Sequence, residues 1–358
     1  VQVELGERSY PVLIGTELLE QVGELVRQRC PAPTAALISD DNVASLYGDC
    51  VSESLRRAGY TLTVHTVRPG EASKSLAVAG SIYDVLAEGH IERKSPVISL
   101  GGGMVGDLTG FVAATWLRGV PFVQVPTTLE ADIDAAIGGK TAVNHPAGKN
   151  LIGAFYQPRL VIIDVRTLRT LAERDIRAGL AESIKHAVIR DAAFFDWQQQ
   201  WMGQILSGDL ELRAELIARN CRIKAEVVAA DEREAGLRAI LNFGHTVGHA
   251  IEAEMGYELR HGECVALGMR AACRIATVRG MIDEQLARRV DGLIAAVGLP
   301  MRLPRHIEPD LLIQRMQYDK KVADAKVRFV LPTALGQVTV VDDVPESQLR
   351  AGLDVLFD

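Results

Sequence analysis

Residues 95–127 read SPVISLGGGMVGDLTGFVAATWLRGVPFVQVPT, and this stretch determines the fold class. Its two ends, SPVISL and PFVQVPT, are short and rich in apolar and β-branched residues, which predicts two strands. Between them, three glycines lead into a helix-length amphipathic stretch, which predicts a helix. A strand, a helix and a second strand in this order are typical of a βαβ unit with parallel strands.

The same alternation continues on both sides of this unit. Further strands are predicted at TAALISD, TLTVHTV and RLVIIDV, and further helices at TELLEQVGELVRQ and SLAVAGSIYDVLAEG. From about residue 172 the spacing becomes helical, including LRAILNFGHTVGHAIEAEM, and strand patterns return only in KVRFVLPTALGQVTVVDDV, as a late hairpin. We therefore expect an α/β fold, with a Rossmann-like parallel-sheet domain over residues 1–171 and a mainly α-helical domain over residues 172–358.

The composition is that of an ordinary globular protein. The 358 residues are 48% hydrophobic and 24% charged, and the formal net charge is −7 at pH 7. An acidic chain without a block of like charge gives no electrostatic reason to expect nucleic acid or an anionic membrane as a partner. Asp107 and Arg118 interrupt the most hydrophobic region, so no membrane-spanning segment is predicted. Five widely spaced cysteines without a CxxC pair favour the cytoplasm.

A glycine-rich turn follows the strand SPVISL. Glycines at 101–103 and 106 would let backbone N–H groups approach a pyrophosphate, whose charge the N-terminus of the next helix favours. The spacing is not GxGxxG, so a simple tight turn is an equally good interpretation of these residues. Nearby, GGKT at 138–141 is not a P-loop, because Asp134 occupies the position of the first glycine.

Histidines and a carboxylate in the second half suggest a metal site. His245 and His249 are one helical turn apart and His261 follows them, so two imidazoles could converge on one ion. A packed or solvated pair is the ordinary alternative, and spacing alone does not decide which two would ligate. Glu182 shares a helix face with Lys185 in GLAESIKH, either as a surface ion pair or, on a buried helix, as an oxygen ligand.

Several cations lie in glycine-rich or apolar surroundings. Most Lys and Arg side chains of an acidic protein are solvated, but this setting favours phosphate binding for some of them. The candidates are Arg118, Lys140, Lys149, Lys224, Arg238, Lys320 and Lys321.

Taken together, these segments resemble the 3-dehydroquinate synthase family. The resemblance runs from PGEASKS at 69–75 to LPTALG at 331–336, and it is dense in GGGMVGDLTGFVAATWLRGV, AGLAESIKH and HGECVALGM. It implies an NAD-binding domain followed by a helical domain, one divalent metal that is zinc or cobalt, and a homodimer. It also implies that 3-deoxy-D-arabino-heptulosonate 7-phosphate is oxidised transiently by NAD, loses phosphate, is reduced again and closes by intramolecular aldol addition to 3-dehydroquinate.

The resemblance also implies roles for individual residues. The metal ligands would be Glu182, His245 and His261. NAD would be bound by Asp40, Asn42, Glu71, Lys74, Gly102, Gly103, Met104, Asp107, Thr127, Thr128, Lys140, Lys149, Thr167 and Thr170. The substrate phosphate would be held by Lys140, Asn150, Arg238 and one of Lys320 or Lys321, with Arg118 reaching in from a partner subunit. The hydroxyls and carboxylate would be held by Asp134, Lys185, Lys224, Asn242 and His249.

One segment departs from the common pattern of that family. Residues 129–136 read LEADIDAA, in which Glu130 and Asp132 add carboxylates and alanines stand at 135 and 136, where many members have serine. Two alternative functions stay open at this point. One is another sugar phosphate cyclase, and the other is an NAD- and metal-dependent polyol dehydrogenase, which would not need the phosphate-binding cations.

Overall fold

The computed structural model describes residues 1–234, 236–256, 258–321 and 327–357, and it describes the side chains of all of these except 318–321. The chain forms two compact units. Unit 1 consists of Val1–Leu171 and Arg213–Arg233, and unit 2 consists of Ala172–Leu212 and Glu234–Asp358. The segment Arg213–Arg233 therefore packs with the residues that precede 171. The roles given to the two predicted domains stay predictions.

The α/β class is confirmed by the strands of unit 1. In chain order these are β1 (Gln2–Val3), β2 (Tyr10–Gly15), β3 (Thr34–Asp40), β4 (Thr61–Val67), β5 (Val97–Gly101), β6 (Phe122–Pro126), β7 (Lys140–His145), β8 (Gly148–Phe155) and β9 (Leu160–Asp164). Seven of them form one sheet in the order β1-β2-β9-β6-β5-β3-β4. All neighbours in this sheet are parallel except β1 and β2. The five strands predicted between residues 34 and 165 are all present.

Helices make up most of the other elements of the two units. In chain order they are α1 (Val22–Arg29), α2 (Asp41–Val43), α3 (Asp49–Arg57), α4 (Leu76–Glu88), α5 (Gly103–Thr115), α6 (Glu173–Arg190), α7 (Ala192–Ser207), α8 (Leu210–Ala230), α9 (His245–Glu254), α10 (His261–Val278), α11 (Glu284–Val297), α12 (Pro309–Lys321) and α13 (Glu346–Asp354). Among the described residues, none of these helices combines the length and the apolar character needed to span a membrane.

The sheet of unit 1 is buried on both faces, which explains its nearly continuous apolar strands. On β3, Leu37 packs with residues of α1 and α3, including Val22 and Leu55. Its neighbour Ile38 points to the opposite face and packs with residues of α4 and α5. Successive side chains of a strand alternate between faces, so two covering layers of helices require apolar residues at every position.

The hairpin of β7 and β8 was not predicted. These two strands pair antiparallel from Lys140 opposite Phe155 to His145 opposite Gly148, outside the large sheet. Their sequence, GGKTAVNHPAGKN and the residues that follow, is rich in glycine and polar residues. It therefore lacks the clear alternation of apolar and polar side chains from which a strand is predicted. The exposed side chains of Leu151 and Phe155 lie two strand periods apart on β8.

Unit 2 is mainly helical, as predicted, and its late hairpin is confirmed as β10 (Phe329–Ala334) and β11 (Gln337–Val341). The helical pattern predicted across residues 237–255 is interrupted, however. A 3₁₀ helix occupies Leu237–Asn242, and α9 begins only at His245. The interruption lies at Gly244, whose φ of 79° is readily adopted only by glycine. A Cβ there would lie 2.8 Å from the carbonyl oxygen of Val265 on α10.

Unit 1 buries one carboxyl group without a hydrogen-bond partner. Asp132 lies in the π-helical turn Ala131–Ala135 and is fully buried, and no described residue hydrogen-bonds either of its carboxyl oxygens. Burial raises the pKa of Asp132 well above its usual range, and the nearby carboxylate of Asp164 raises it further. The group is therefore neutral in the fold at pH values where an exposed aspartate is charged.

This burial predicts a pH-dependent stability. Between the unfolded-state pKa of about 3.9 and the raised folded-state pKa, the folded chain holds a proton that the unfolded chain has lost, so stability falls as the pH rises. The Asp132→Asn variant lacks this dependence. We expect its free energy of unfolding in urea, relative to the parent chain, to increase from pH 5 to pH 8, with a slope of at most about 1.4 kcal/mol per pH unit.

The exposed residue Asp84 on α4 supplies the matched control for this prediction. The free energy of unfolding of the Asp84→Asn variant should differ from that of the parent chain by a constant amount between pH 5 and pH 8, because the side chain of Asp84 is exposed to solvent. A stability difference for Asp132→Asn that stays constant between pH 5 and pH 8 would contradict the neutral state of Asp132 in the fold.

Candidate functional site

The glycine-rich turn of unit 1 joins β5 to α5, as predicted. Gly102 caps α5, and the amide of Gly106 donates to its carbonyl oxygen at 3.1 Å. A Cβ on Gly106 would lie 2.6 Å from Oε1 of Gln124, so this glycine lets α5 pack closely against β6. The turn thus presents the N-terminus of α5 with glycines at 102 and 103, which suits the pyrophosphate of a dinucleotide.

Four predicted NAD or phosphate residues form one connected group beside this turn. Nζ of Lys74 lies 2.5 Å from Oδ2 of Asp107 and 2.5 Å from Oδ1 of Asn150. The Asn150 amide in turn donates to Oδ1 of Asn144, whose side-chain nitrogen donates to Glu71 at 2.7 Å. Lys74 is nearly fully buried, so its charge is balanced inside the protein by Asp107. The sequence reasoning missed Asn144, which connects this group.

Other predicted NAD residues have structural partners within unit 1. The carboxylate of Asp40 caps α2 by accepting from the amides of Asn42 and Val43 at 3.0 and 3.1 Å. The hydroxyl of Thr167 donates to Asp164, and the hydroxyl of Thr170 lies 2.6 Å from that of Tyr47. These contacts do not exclude a ligand, because a cap or turn residue can also present its other polar atoms.

Thr127 supplies the observation in unit 1 that most directly points to a ligand. It follows β6, and its amide donates to the carbonyl oxygen of Gly101 in the glycine-rich turn. Its hydroxyl is buried, and no hydrogen-bond partner for it exists among the described residues. Beside it, a Cβ added to Gly102 would lie only 3.1 Å from the side chain of Thr128, so the turn is narrow and favours glycine at this position. A buried hydroxyl without a partner next to this turn fits a polar ligand such as NAD.

Two predicted substrate residues are paired in unit 1. Nζ of Lys224, on α8, lies 2.7 Å from Oδ1 of Asp134 and also donates to the Asp134 carbonyl oxygen. Lys224 is almost completely buried. The remaining candidate cations of this unit lie nearer the surface, with Lys140 and Arg118 exposed and Lys149 partly buried.

The metal site predicted in unit 2 begins with a buried ion pair on α6. Glu182 and Lys185 are each only 1% exposed, and Nζ of Lys185 donates to Oε2 of Glu182. The other carboxylate oxygen, Oε1, is buried and has no hydrogen-bond partner among the described residues. The surface interpretation of this pair is therefore wrong, and the helix is buried as the alternative required. One carboxylate oxygen stays available for a cation.

Two imidazoles face that oxygen. Oε1 of Glu182 lies 3.8 Å from Nε2 of His245 and 3.6 Å from Nε2 of His261. These distances are too long for hydrogen bonds. They are close to the separation of about 3.4 Å that results when two ligand atoms bind one tetrahedral zinc at about 2.1 Å each. The residues present thus fit a divalent metal held by one carboxylate and two imidazoles.

His249 completes a triangle of imidazoles. Its ring centroid lies 5.2 Å from that of His245 and 5.7 Å from that of His261, and one ring nitrogen from each of the three lies within 4.8 Å of the other two. His249 is exposed, whereas burial lowers the pKa of His245 well below its usual range, with help from the charge of Lys185. A neutral imidazole is the form that a metal requires.

The other predicted residues of unit 2 lie on two further elements. Arg238 and Asn242 are in the 3₁₀ helix that precedes α9, and Arg238 is 1% exposed. The side-chain nitrogen of Asn242 donates to Glu234 at 2.8 Å. Lys320 and Lys321 end α12, and their side chains lie outside the described part of the structure, so their predicted contact with phosphate stays a prediction.

Glycines set the separation of the helices that carry the three predicted metal ligands. A Cβ on Gly268 of α10 would lie 1.8 Å from the carbonyl oxygen of Gly244, directly before α9. A Cβ on Gly262 would lie 1.9 Å from the carbonyl oxygen of Ala178 on α6. The three helices that position Glu182, His245 and His261 therefore touch backbone to backbone.

Two family models match adjacent parts of the chain. The model described as 3-dehydroquinate synthase N-terminal matches residues 64–178, and the one described as 3-dehydroquinate synthase C-terminal matches residues 179–322. A relative from Desulforamulus reducens, named 3-dehydroquinate synthase, is 49% identical over 354 residues and covers 99% of each chain.

Solved structures with the same fold include two synthases. The 2-epi-5-epi-valiolone synthase of Streptomyces hygroscopicus, solved with NAD⁺ and Zn²⁺, is 29% identical, with a TM-score of 0.90 over 99% of this chain and 98% of the other. A 2-deoxy-scyllo-inosose synthase, solved with carbaglucose-6-phosphate, NAD⁺ and Co²⁺, also has a TM-score of 0.90 over 99% of both chains, but at 24% identity it shows the fold alone.

The backbone contact at Gly268 predicts a coupled loss of stability and metal binding. The Gly268→Ala variant must move α10 away from the segment before α9, and overpacking of this kind costs typically about 1–3 kcal/mol. Because the shift separates His261 from His245, we expect zinc affinity, measured by competition with a chelator, to fall together with the melting temperature.

Gly292 on α11 provides a control for the alanine substitution, since a Cβ there meets nothing within 4 Å. The Gly292→Ala variant should keep the parent zinc affinity and should not lose stability, because alanine is the better helix former. Parent-like zinc affinity in a destabilised Gly268→Ala protein would show that the spacing of α9 and α10 does not control the metal site.

Proposed function

The chain belongs to the 3-dehydroquinate synthase family, and we propose that it converts 3-deoxy-D-arabino-heptulosonate 7-phosphate to 3-dehydroquinate and phosphate. This is a carbon–oxygen lyase reaction of aromatic amino-acid biosynthesis. It depends on NAD and one divalent metal, and NAD emerges unchanged. The 49% identity to a relative of that name over almost the whole chain favours this reaction over those of the other cyclases and of a polyol dehydrogenase.

One observation carries the assignment of the metal ligands. Glu182 buries a carboxylate oxygen that receives no hydrogen bond in the described structure, and that oxygen faces Nε2 of His245 and of His261. We infer that these three groups hold zinc or cobalt and leave further coordination positions for the substrate. When bound, the metal supplies a Lewis acid for the vicinal hydroxyls, and NAD supplies the transient oxidation of one of them.

The surrounding side chains of unit 2 orient the proposed metal ligands and bind the substrate. Lys185 holds one oxygen of Glu182, which leaves the other oxygen directed at the imidazoles. We assign substrate contacts to the exposed imidazole of His249, which lies beside the ring of His245, and to Asn242. The guanidinium of Arg238 remains charged even when buried, which suits the binding of a phosphate group.

Unit 1 supplies the dinucleotide turn and further substrate contacts. We assign the pyrophosphate to the N-terminus of α5 at Gly102 and Gly103, with Lys74 and Asp107 beside it and Thr127 as a hydrogen-bonding group. The remaining members of the NAD set are Asp40, Asn42, Glu71, Met104, Thr128, Lys140, Lys149, Thr167 and Thr170. In the same unit Asp134, held by Lys224, serves the substrate hydroxyls, while Lys140 and Asn150 serve the phosphate.

We also propose a homodimer that forms through the β7–β8 hairpin. Leu151 and Phe155 on β8 are 62% and 45% exposed, an unusual exposure for side chains of this size on a sheet. Arg118 is exposed and has a φ of 67°, next to Leu117 with a φ of 49°. Two consecutive left-handed residues cost energy, and such strain is typical of functional segments. In the dimer, Arg118 would reach the phosphate site of the partner.

A cytoplasmic location is the last part of the proposal. All five cysteines lie in the described part of the chain, and none of them forms a disulfide. Four of them are buried, and burial raises the pKa of Cys30 to about 11. Thiols of this kind fit a reducing compartment, where pairing is not needed for stability.

The reaction is tested by following phosphate and NADH in one assay. The assay contains the heptulosonate phosphate, zinc and an amount of NAD below that of the enzyme. We expect many phosphates to be released per NAD, without accumulation of NADH. NADH that rises without phosphate would instead identify a dehydrogenase. The Glu182→Gln variant removes the ligand charge at constant shape, so it should lose both bound metal and phosphate release, and full metal content in that variant would overturn the ligand set.

The dimer is tested by a charge placed on the hairpin. The Leu151→Glu variant buries a carboxylate in the proposed interface, which disfavours association. We expect analytical ultracentrifugation to show a dimer for the parent chain and a monomer for the variant. Val278→Glu on α10, where the parent side chain is 42% exposed, is the control and should remain dimeric. A parent chain that sediments as a monomer would contradict the proposal.

A further inference from the structure

Each proposed metal ligand has a second contact that restricts its orientation. Lys185 binds the far oxygen of Glu182, and the Phe243 carbonyl oxygen lies 3.1 Å from Nδ1 of His245. The third ligand, His261, is contacted by a side chain that neither the motifs nor the family resemblance pointed to. Oε2 of Glu252 lies 3.4 Å from Nδ1 of His261, the ring nitrogen that does not face Glu182.

The position of Glu252 follows from the register of α9. His245, His249 and Glu252 are four and then three residues apart, so they occupy one face of this helix. That face is the one directed at His261, because the rings of both α9 histidines lie within 6 Å of its ring. Glu252 is 12% exposed and His261 is 28% exposed, so the contact is largely shielded from water.

A carboxylate at Nδ1 has a defined chemical effect on an imidazole. It accepts the proton of Nδ1, which fixes the tautomer in which Nε2 carries the lone pair. It also makes Nε2 a stronger donor and limits rotation of the ring. Nε2 of His261 then faces Oε1 of Glu182 at 3.6 Å, which is the arrangement that a shared metal ion requires.

We propose that Glu252 is a positioning residue that orients His261 and strengthens its bond to the metal. This inference rests on the ligand set given above. His245 is oriented by a neutral backbone carbonyl instead, so the two imidazoles differ in charge environment, and His261 is the more strongly donating ligand. Glu252 also adds a negative charge near the proposed metal site, where it partly offsets the positive charge of Lys185.

Metal affinity tests this role without reference to turnover. In the Glu252→Ala variant we expect the zinc dissociation constant, measured by competition with a chelator, to rise about 10- to 100-fold. Glu252→Gln keeps an oxygen that can accept the Nδ1 proton but lacks the charge, so its affinity should lie between the parent and the alanine variant. With Co²⁺ in place of zinc, the visible absorption band of both variants should shift, which a purely structural role would not cause.

A neighbouring glutamate supplies the matched control. Glu254 is two residues further along α9 and pairs with Arg315 at 3.8 Å, away from the histidine face. The Glu254→Ala variant should bind zinc like the parent. If Glu252→Ala and Glu252→Gln both bind zinc within twofold of the parent and keep its Co²⁺ spectrum, the proposal is overturned.

The His245→Ala variant distinguishes failure of this inference from failure of the ligand set. Loss of metal in His245→Ala together with parent-like affinity in both Glu252 variants would remove the role of Glu252 and leave the metal site in place. Stoichiometric zinc in His245→Ala would instead show that the ligand set itself is wrong. Melting curves of the metal-free proteins, which should coincide for the parent and Glu252→Gln, verify that the fold is retained.

Discussion

The buried carboxylate of Glu182 is the group on which unit 2 depends. An ionised carboxylate in the protein interior is costly unless charges and hydrogen bonds compensate it. Lys185 compensates one oxygen, one helical turn away on α6, while the other oxygen faces the imidazoles of His245 and His261 and has no hydrogen-bond partner among the described residues. A cation between these groups removes the remaining cost. The metal is therefore expected to stabilise the fold as well as to take part in the chemistry.

The helices must approach closely for this arrangement to exist. Imidazole and carboxylate side chains are short, so three helices can bring them onto one ion only if their backbones nearly touch. Gly262 and Gly268 provide that approach, and the left-handed Gly244 caps the N-terminus of α9, which begins at His245. These glycines therefore set the spacing of the helices that carry the proposed metal ligands.

The sequence predicted most of the fold because burial leaves a clear pattern. Strands covered on both faces, such as β3 and β5, are apolar throughout, and these were located to within about two residues. The hairpin of β7 and β8 was missed because its strands are partly exposed and rich in glycine. The break at Gly244 was missed because a helical spacing of apolar residues continues across it, while the close contact with α10 that requires the break is a tertiary feature.

The site was predicted less completely, and for a related reason. Spacing placed His245 and His249 on one helix face but could not decide between them, since both satisfy the same period. The decision depends on which imidazole faces Glu182, a residue more than sixty positions earlier in the chain. Glu252 lies on that same face, yet a glutamate on an amphipathic helix is ordinarily a solvated residue. Only its distance to Nδ1 of His261 distinguishes it, so residues that orient metal ligands are recognised from tertiary structure and not from motifs.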